Sequence, residues 1–304
     1  MLHFPVLLEE SVDFLVNDMD GHYIDCTFGR GGHSNLILSR LGKKGSLSSF
    51  DKDPFAFKYG QSIKKDNFKI YHDSFQNLSK YFKNNSIDGI LYDLGTCSTH
   101  LDDAERGFSF NKDGPLDMRF NNQKGIPLYE WLKDADVKEI IKILYKYGNE
   151  KHAKLISNAI DITRKKRPIL RTIELSNIIK DIYPEKNTKV HPATKSFQAF
   201  RIFINNELEE FRSSLDVAKK ILKKNGLIVT IAFHSIEDNI IKNFFRPEKK
   251  VFPKDIPLNN EEHRKFKCLA KKIRASEYEI NINNRSRSAV ICLLYTSDAA
   301  DDIP

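Results

Sequence analysis

Cysteine is scarce in this 304-residue chain, and the four present, Cys26, Cys97, Cys268 and Cys292, form no CxxC pair and follow no regular spacing. That argues against a disulfide scaffold or a zinc finger, and suits a reduced, intracellular protein with no metal. Long apolar runs are missing too. The longest, Leu227 to Phe233, is far below the ~20 residues of a membrane span. The start, Met1-Leu2-His3-Phe4-Pro5, lacks the basic flank and apolar stretch of a secretory signal, so a cytoplasmic protein without a membrane partner is expected. With only 14 Gly and 11 Pro against 40% hydrophobic and 30% charged residues, the chain is neither collagenous nor disordered. Acid is the minority charge, 41 Asp+Glu against 49 Lys+Arg for a net +8. That balance favours a polyanionic partner, and it equally suits a merely lysine-rich surface.

At ~150 residues per domain, the length fits two domains, or one carrying a large insertion. Helical and β-type segments alternate through the first hundred residues. Glu9 to Val16 reads as helix, Tyr23 to Thr27 as strand, Asn35 to Leu41 as helix, and Leu47 to Phe50 as strand. Pro54 opens a helix, and Phe68 to Tyr71 and Ile87 to Tyr92 complete four strands. Such alternation predicts a parallel sheet covered on both faces. Leu128 to Pro184 has helical apolar spacing (Val137, Ile140, Ile141, Leu144) and no clear strand, which predicts an inserted helical subdomain. The sheet domain then resumes with one long helix, Phe197 to Leu222, ended by Lys223-Lys224-Asn225-Gly226, and the strand Leu227 to Phe233 follows.

Chemistry concentrates at the predicted strand ends. Asp25-Cys26-Thr27-Phe28-Gly29-Arg30-Gly31-Gly32-His33-Ser34 is a glycine loop between strand and helix, where a doubly wound sheet binds cofactors. Its spacing differs from G-x-G-x-x-G, which counts against a dinucleotide. Asp51 closes the second strand 26 residues after Asp25, where a carboxylate can accept both hydroxyls of an adenosine ribose. Asp53 competes for that role, or caps the helix opened by Pro54. Phe75 follows the third strand, placed either against an adenine or in the core. Asp93 closes the fourth strand and is the natural acid–base carboxylate, or a loop cap. His234 and Ser235 follow the last of these strands as secondary catalytic candidates, a core histidine being the other reading of His234.

Several of these segments are similar to the bacterial 16S ribosomal RNA cytosine-N4 methyltransferase family. The likeness runs through His3 to Glu10, Tyr23 to Ser34, Asp51-Lys52-Asp53-Pro54 and Leu101 to Phe110. It continues through Gly114 to Arg119, His191 to Lys195, Phe197-Gln198-Ala199, Phe233 to Asp238 and Arg285 to Val290. It implies an α/β fold, a Rossmann-like class I methyltransferase sheet with an inserted all-helical subdomain. The expected division is 1–105 and 196–295 for the sheet domain and 106–195 for a helical substrate-recognition domain. It implies S-adenosylmethionine held by Gly31, Gly32, His33, Asp51, Phe75, Asp93 and the residue at 100. There the family reads Ser-Ser-Pro-Gln and this chain reads Cys97-Ser98-Thr99-His100.

The implied reaction is N4-methylation of a cytidine in the decoding region of 16S ribosomal RNA in the small ribosomal subunit, with no DNA partner. Cytosine N4 is a weak nucleophile, so the site must hold it in line with the methyl donor and accept its hydrogen. Asp93 leads as that acceptor, with His234 and Ser235 behind it. Phe108 and Phe110 are candidates to line a base pocket. Arg119, Arg285 and Arg287, with Arg164 to Arg167, are candidates for RNA contact. Two alternatives stay open: an amino-group (N4 or N6) methyltransferase acting on another nucleic acid, and a non-catalytic RNA-binding assembly factor. Thr296 to Pro304 is short, acidic and unlike the family, and is set aside as a non-native-looking tail.

Overall fold

A computed structural model describes residues 5–183, 190–244 and 265–297. Two compact units emerge, one formed by residues 1–95 and 210–304, the other by residues 96–209.

The first unit is built on a seven-stranded sheet of order β3-β2-β1-β4-β5-β7-β6. Its strands are β1 (His22–Asp25), β2 (Ser46–Phe50), β3 (Phe68–Tyr71), β4 (Ile87–Asp93), β5 (Leu222–Ala232), β6 (Lys265–Arg274) and β7 (Val290–Ser297). The first five pair in parallel and β7 runs antiparallel between β5 and β6. This is the expected Rossmann-like sheet. Its order reverses between β1 and β4, the switch point beyond whose carboxyl strand ends doubly wound sheets bind ligands. The central strands are apolar and buried, with Tyr23, Ile24, Ile90, Leu91, Ile228 and Val229 inaccessible to solvent, as a sheet covered on both faces requires. Helices α1 (Leu8–Leu15), α2 (Gly32–Arg40) and α3 (Pro54–Gln61) fall in the segments expected. Val12, Leu15 and Ile37 pack with Leu91, Val229 and Ile291 in one core.

β6 was not anticipated. Lys265, Lys267, Lys271 and Lys272 give it little β-propensity, yet among the described residues it pairs with β7 at the edge of the sheet. A second correction concerns the excluded tail. Thr296 and Ser297 belong to β7, and Thr296 is buried, its hydroxyl donating to the Lys223 carbonyl at 2.8 Å. Residues 298–304 lie outside the described residues.

The second unit comprises helices α4 (Ser98–Asp102), α5 (Leu128–Asp134), α6 (Val137–Gly148), α7 (Ala153–Arg164), α8 (Thr172–Lys180) and α9 (Thr194–Asn205), with no named strand among its described residues. Ile140, Leu144, Ile156, Ile160, Leu175 and Phe200 fill its core. It is wider than the 106–195 insert expected from sequence, because α9 packs into this core. The long helix expected over Phe197 to Leu222 is in fact two, α9 and α10 (Glu207–Ile221). Asn206 between them takes a left-handed conformation (φ 51°), which asparagine tolerates better than most residues. The Asn205 amide fixes the break, accepting from the Phe120 amide at 2.7 Å and donating to the Met118 carbonyl at 2.7 Å.

Candidate active site at the carboxyl edge of the sheet

The glycine loop grows out of β1. The Thr27 amide donates to the Asp25 carboxylate, the Phe28 amide to the Phe50 carbonyl, and the Gly29 amide to Asp51 Oδ2 at 2.7 Å. Gly31 turns the chain with a φ of 72°, and a Cβ there would come within 2.8 Å of the Phe28 ring. At Gly32 a Cβ would lie 2.1 Å from Pro5 Cγ. Both positions therefore need glycine for packing as well as for any ligand. Asp51 Oδ1 accepts the Asp53 amide at 2.8 Å. Asp53 itself is buried and caps α3 by accepting the Phe55 amide, so of the two acids Asp51 is the one at the loop.

Beneath the loop lies a polar network that sequence reasoning did not single out. Asp25 is fully buried, accepts the Ser34 hydroxyl at 2.6 Å, and Ser34 in turn bonds Ser49 at 2.8 Å. Burial pushes the Asp25 carboxyl up to about 6, against the opposing pull of its hydrogen bonds from Ser34 and Thr27. The sequence signal was present, an acid closing a strand.

Across the switch point, Asp93 ends β4. Its amide donates to Thr27 Oγ1 at 2.7 Å, tying the two strand ends together. His33 lies 3.7 Å from Asp93 Oδ2 through Nδ1, while its Nε2 is 3.2 Å from the Val6 carbonyl. His33 is buried, whereas the Asp93 side chain stays 25% exposed and accessible to a ligand. The next strand brings His234 and Ser235 to the same edge, since Asp93 pairs with Ile231. His234 is engaged there. Glu237 accepts the Phe233 and His234 amides at the start of α11 (Ser235–Phe244), and its other oxygen is 3.0 Å from His234 Nε2. Ser235 is exposed. Phe75 is half-buried and edge-on to Tyr92, ring centroids 5.7 Å apart.

In the helical unit, His100 is buried and stacks on Phe108 and against Phe120, each centroid 5.0 Å away. Its Nδ1 lies 3.3 Å from Cys97 Sγ. Burial pushes the Cys97 thiol up, but the hydrogen bonds and charge of His100, with help from Thr99, outweigh it and leave the thiol below its usual range. Phe108, expected at a base pocket, is a core residue only 5% exposed. Phe110 is half-buried and stacks on His191 at 4.6 Å.

Arg119, expected to reach RNA, spends its donors at home. It grips Asp117 through two 2.7 Å bonds and also bonds the Lys124 and Gly125 carbonyls. Asp117 raises the guanidinium's already high pKa further. Arg164 is likewise committed to Asp161 and the Leu132 carbonyl, Lys165 pairs with Asp161, and Arg167 with Glu174. Arg287 is exposed on the turn Asn284–Ser288. Buried Ser286 holds that turn by donating to Glu279, which also accepts the Leu7 amide. The Arg285 side chain lies outside the described residues. Among the described residues no group of His, Cys, Asp or Glu is placed to hold a metal.

A family model described as the MraW methylase family matches residues 1–296. The chain belongs to the MraW methylase family. It is 44% identical over 301 residues to the ribosomal RNA small subunit methyltransferase H of Marinomonas sp. (strain MWYL1), covering 96% of this chain and 96% of that protein. Among solved structures it resembles an rRNA methylase from Streptococcus thermophilus, with 13% identity, 98% of this chain and 99% of that chain covered, and a TM-score of 0.41. As an MraW methylase, the chain places its glycine loop, Asp51 and Asp93 on one sheet edge.

Proposed function

We propose that this MraW methylase transfers a methyl group from S-adenosylmethionine to the exocyclic N4 amine of a cytidine in 16S ribosomal RNA. The observation that carries this reading is the pair of strand-end carboxylates tied to one glycine loop, Asp51 through the Gly29 amide and Asp93 through its own amide to Thr27. The donor set suits the cofactor. The Asp51 carboxylate, an acceptor on both oxygens, is fixed at the loop by the Gly29 and Asp53 amides, and ribose hydroxyls are donors that such a carboxylate can accept. When bound, the cofactor supplies a methyl already activated on a sulfonium. The chain's own work is then to bind, orient and manage a proton. Asp51 holds the ribose end, and the Gly29–Gly32 loop gives close backbone approach. Asp93 accepts a hydrogen of the target amine, raising its nucleophilicity and taking its proton. His33 keeps Asp93 oriented. Arg285 and Arg287 meet RNA phosphates, whose contacts position the strand without reading its sequence.

The test is calorimetric. Asp51→Ala, with its fold verified, should bind S-adenosylmethionine weaker by about 1–3 kcal/mol, the cost of removing a charged hydrogen-bond partner. Unchanged affinity would remove Asp51 from the cofactor site.

A further inference from the structure

The outward face of α3 presents two aromatic rings that the mechanism above does not use. Phe55 is 56% exposed and Tyr59 41% exposed, and four residues apart on a helix they are neighbours on one face. The rest of α3 is ordinary, with Ala56 and Gly60 turned into the core. Lys58 is exposed between the two rings. Arg30, from the glycine loop itself, lays its guanidinium 5.3 Å from the centroid of Tyr59, close enough for a cation–π contact that holds the ring. Behind Tyr59 the buried Phe28 ring lies 6.2 Å away. α3 itself contains no acid: Asp53 is buried under its cap, Asp51 is bound to the loop, and beyond the helix come Lys64, Lys65 and the exposed Asp66.

Exposed rings interleaved with cations are what a single-stranded nucleic acid needs. Bases stack on the rings and phosphates meet the charges, with little demand on sequence. Duplex RNA offers no free base faces to such a surface. We propose that Phe55 and Tyr59, flanked by Arg30 and Lys58, form a stacking ledge for an unpaired stretch of the RNA substrate outside the target nucleotide. The ledge borders the candidate cofactor loop through Arg30, so it would hold strand adjacent to the base being modified. This inference rests on the reading of the protein as an RNA methyltransferase.

The experiment compares the full-length protein with Phe55→Ala/Tyr59→Ala and with Phe55→Trp/Tyr59→Trp. Three quantities are measured: S-adenosylmethionine affinity, affinity for a labelled single-stranded RNA and its duplex form, and methylation of naked small-subunit RNA and of assembled subunits. The alanine pair should melt like the parent and bind cofactor equally. It should bind single strands at least tenfold more weakly, raise the RNA KM, and leave the weaker duplex binding unchanged. The tryptophan pair should restore single-strand binding. Parent-like single-strand affinity and KM in the alanine pair would overturn the ledge. So would a loss confined to assembled subunits, which would make the occupant a ribosomal protein. A parent enzyme that methylates no RNA would instead overturn the functional reading itself, so the two failures are distinguishable.

Discussion

At the scale of single residues, two titrating groups give sharp expectations. Asp25 titrates near 3.8 in an unfolded chain and near 6 in the fold. Below both values the carboxyl is neutral in either state, and above both it is charged in either state, so the burial penalty is then complete. Stability contributed by this group therefore falls as pH rises from about 4 to about 6, by roughly 3 kcal/mol at ~1.4 kcal/mol per unit. Asp25→Asn should lack that component of the decline in denaturant unfolding measured across this range. Cys97 is the second group. His100 beside its sulfur favours the thiolate, whereas burial pushes the Cys26 thiol up. Iodoacetamide should alkylate Cys97 well before Cys26, and His100→Gln should move the Cys97 rate profile to higher pH. An unmoved profile would mean that the imidazole does not stabilise the thiolate. The departure from Ser-Ser-Pro-Gln was plain in the sequence. That it pairs a thiol with an imidazole over an aromatic cluster was not, because Phe108 and Phe120 reach His100 from eight and twenty residues along the chain.

At the scale of elements, the parallel strands were legible because each is a short apolar run ending at a polar turn, whereas their order in the sheet was not. Asp51 and Asp93 could be located for the same reason. The missed features share a cause: they depend on partners distant in sequence. The α9–α10 break follows from Asn205 bonding the backbone of Met118 and Phe120, while the apolar stripe runs on through it uninterrupted. Asn206→Gly should be near neutral and Asn206→Ala should cost ~1 kcal/mol, because alanine keeps the Cβ but lacks the short polar side chain that lets asparagine tolerate the left-handed region, read from chemical denaturation. Gly114 is harsher. A Cβ there would fall 1.8 Å from the Ala104 carbonyl oxygen, so Gly114→Ala should destabilise by about 1–3 kcal/mol. A parent-like midpoint for Gly114→Ala would show that this backbone approach is looser than described. The surroundings of Phe108 and Arg119 were hidden in the same way, since an exposed position and a core or loop-locking one look alike until Phe120 and Asp117 are seen beside them.

At the scale of the whole molecule, one sheet edge gathers what the chemistry asks for: a glycine loop tied to Asp51, and Asp93 tied to the same loop through Thr27. The net charge of +8 is not spread evenly in use, since Arg119, Arg164, Lys165 and Arg167 are paired internally while Arg30, Lys58 and Arg287 are exposed. The central claim, that this edge methylates cytidine N4 in small-subunit RNA with Asp93 at the reacting amine, is tested most directly by one measurement. Small-subunit RNA is incubated with S-adenosylmethionine and either the parent or Asp93→Ala, then digested to nucleosides and resolved by mass spectrometry. The parent should yield N4-methylcytidine, and Asp93→Ala, folded and saturated with cofactor and RNA, should lose most of it. Methyl on another base or on none, or a parent-like yield from Asp93→Ala, would contradict the claim.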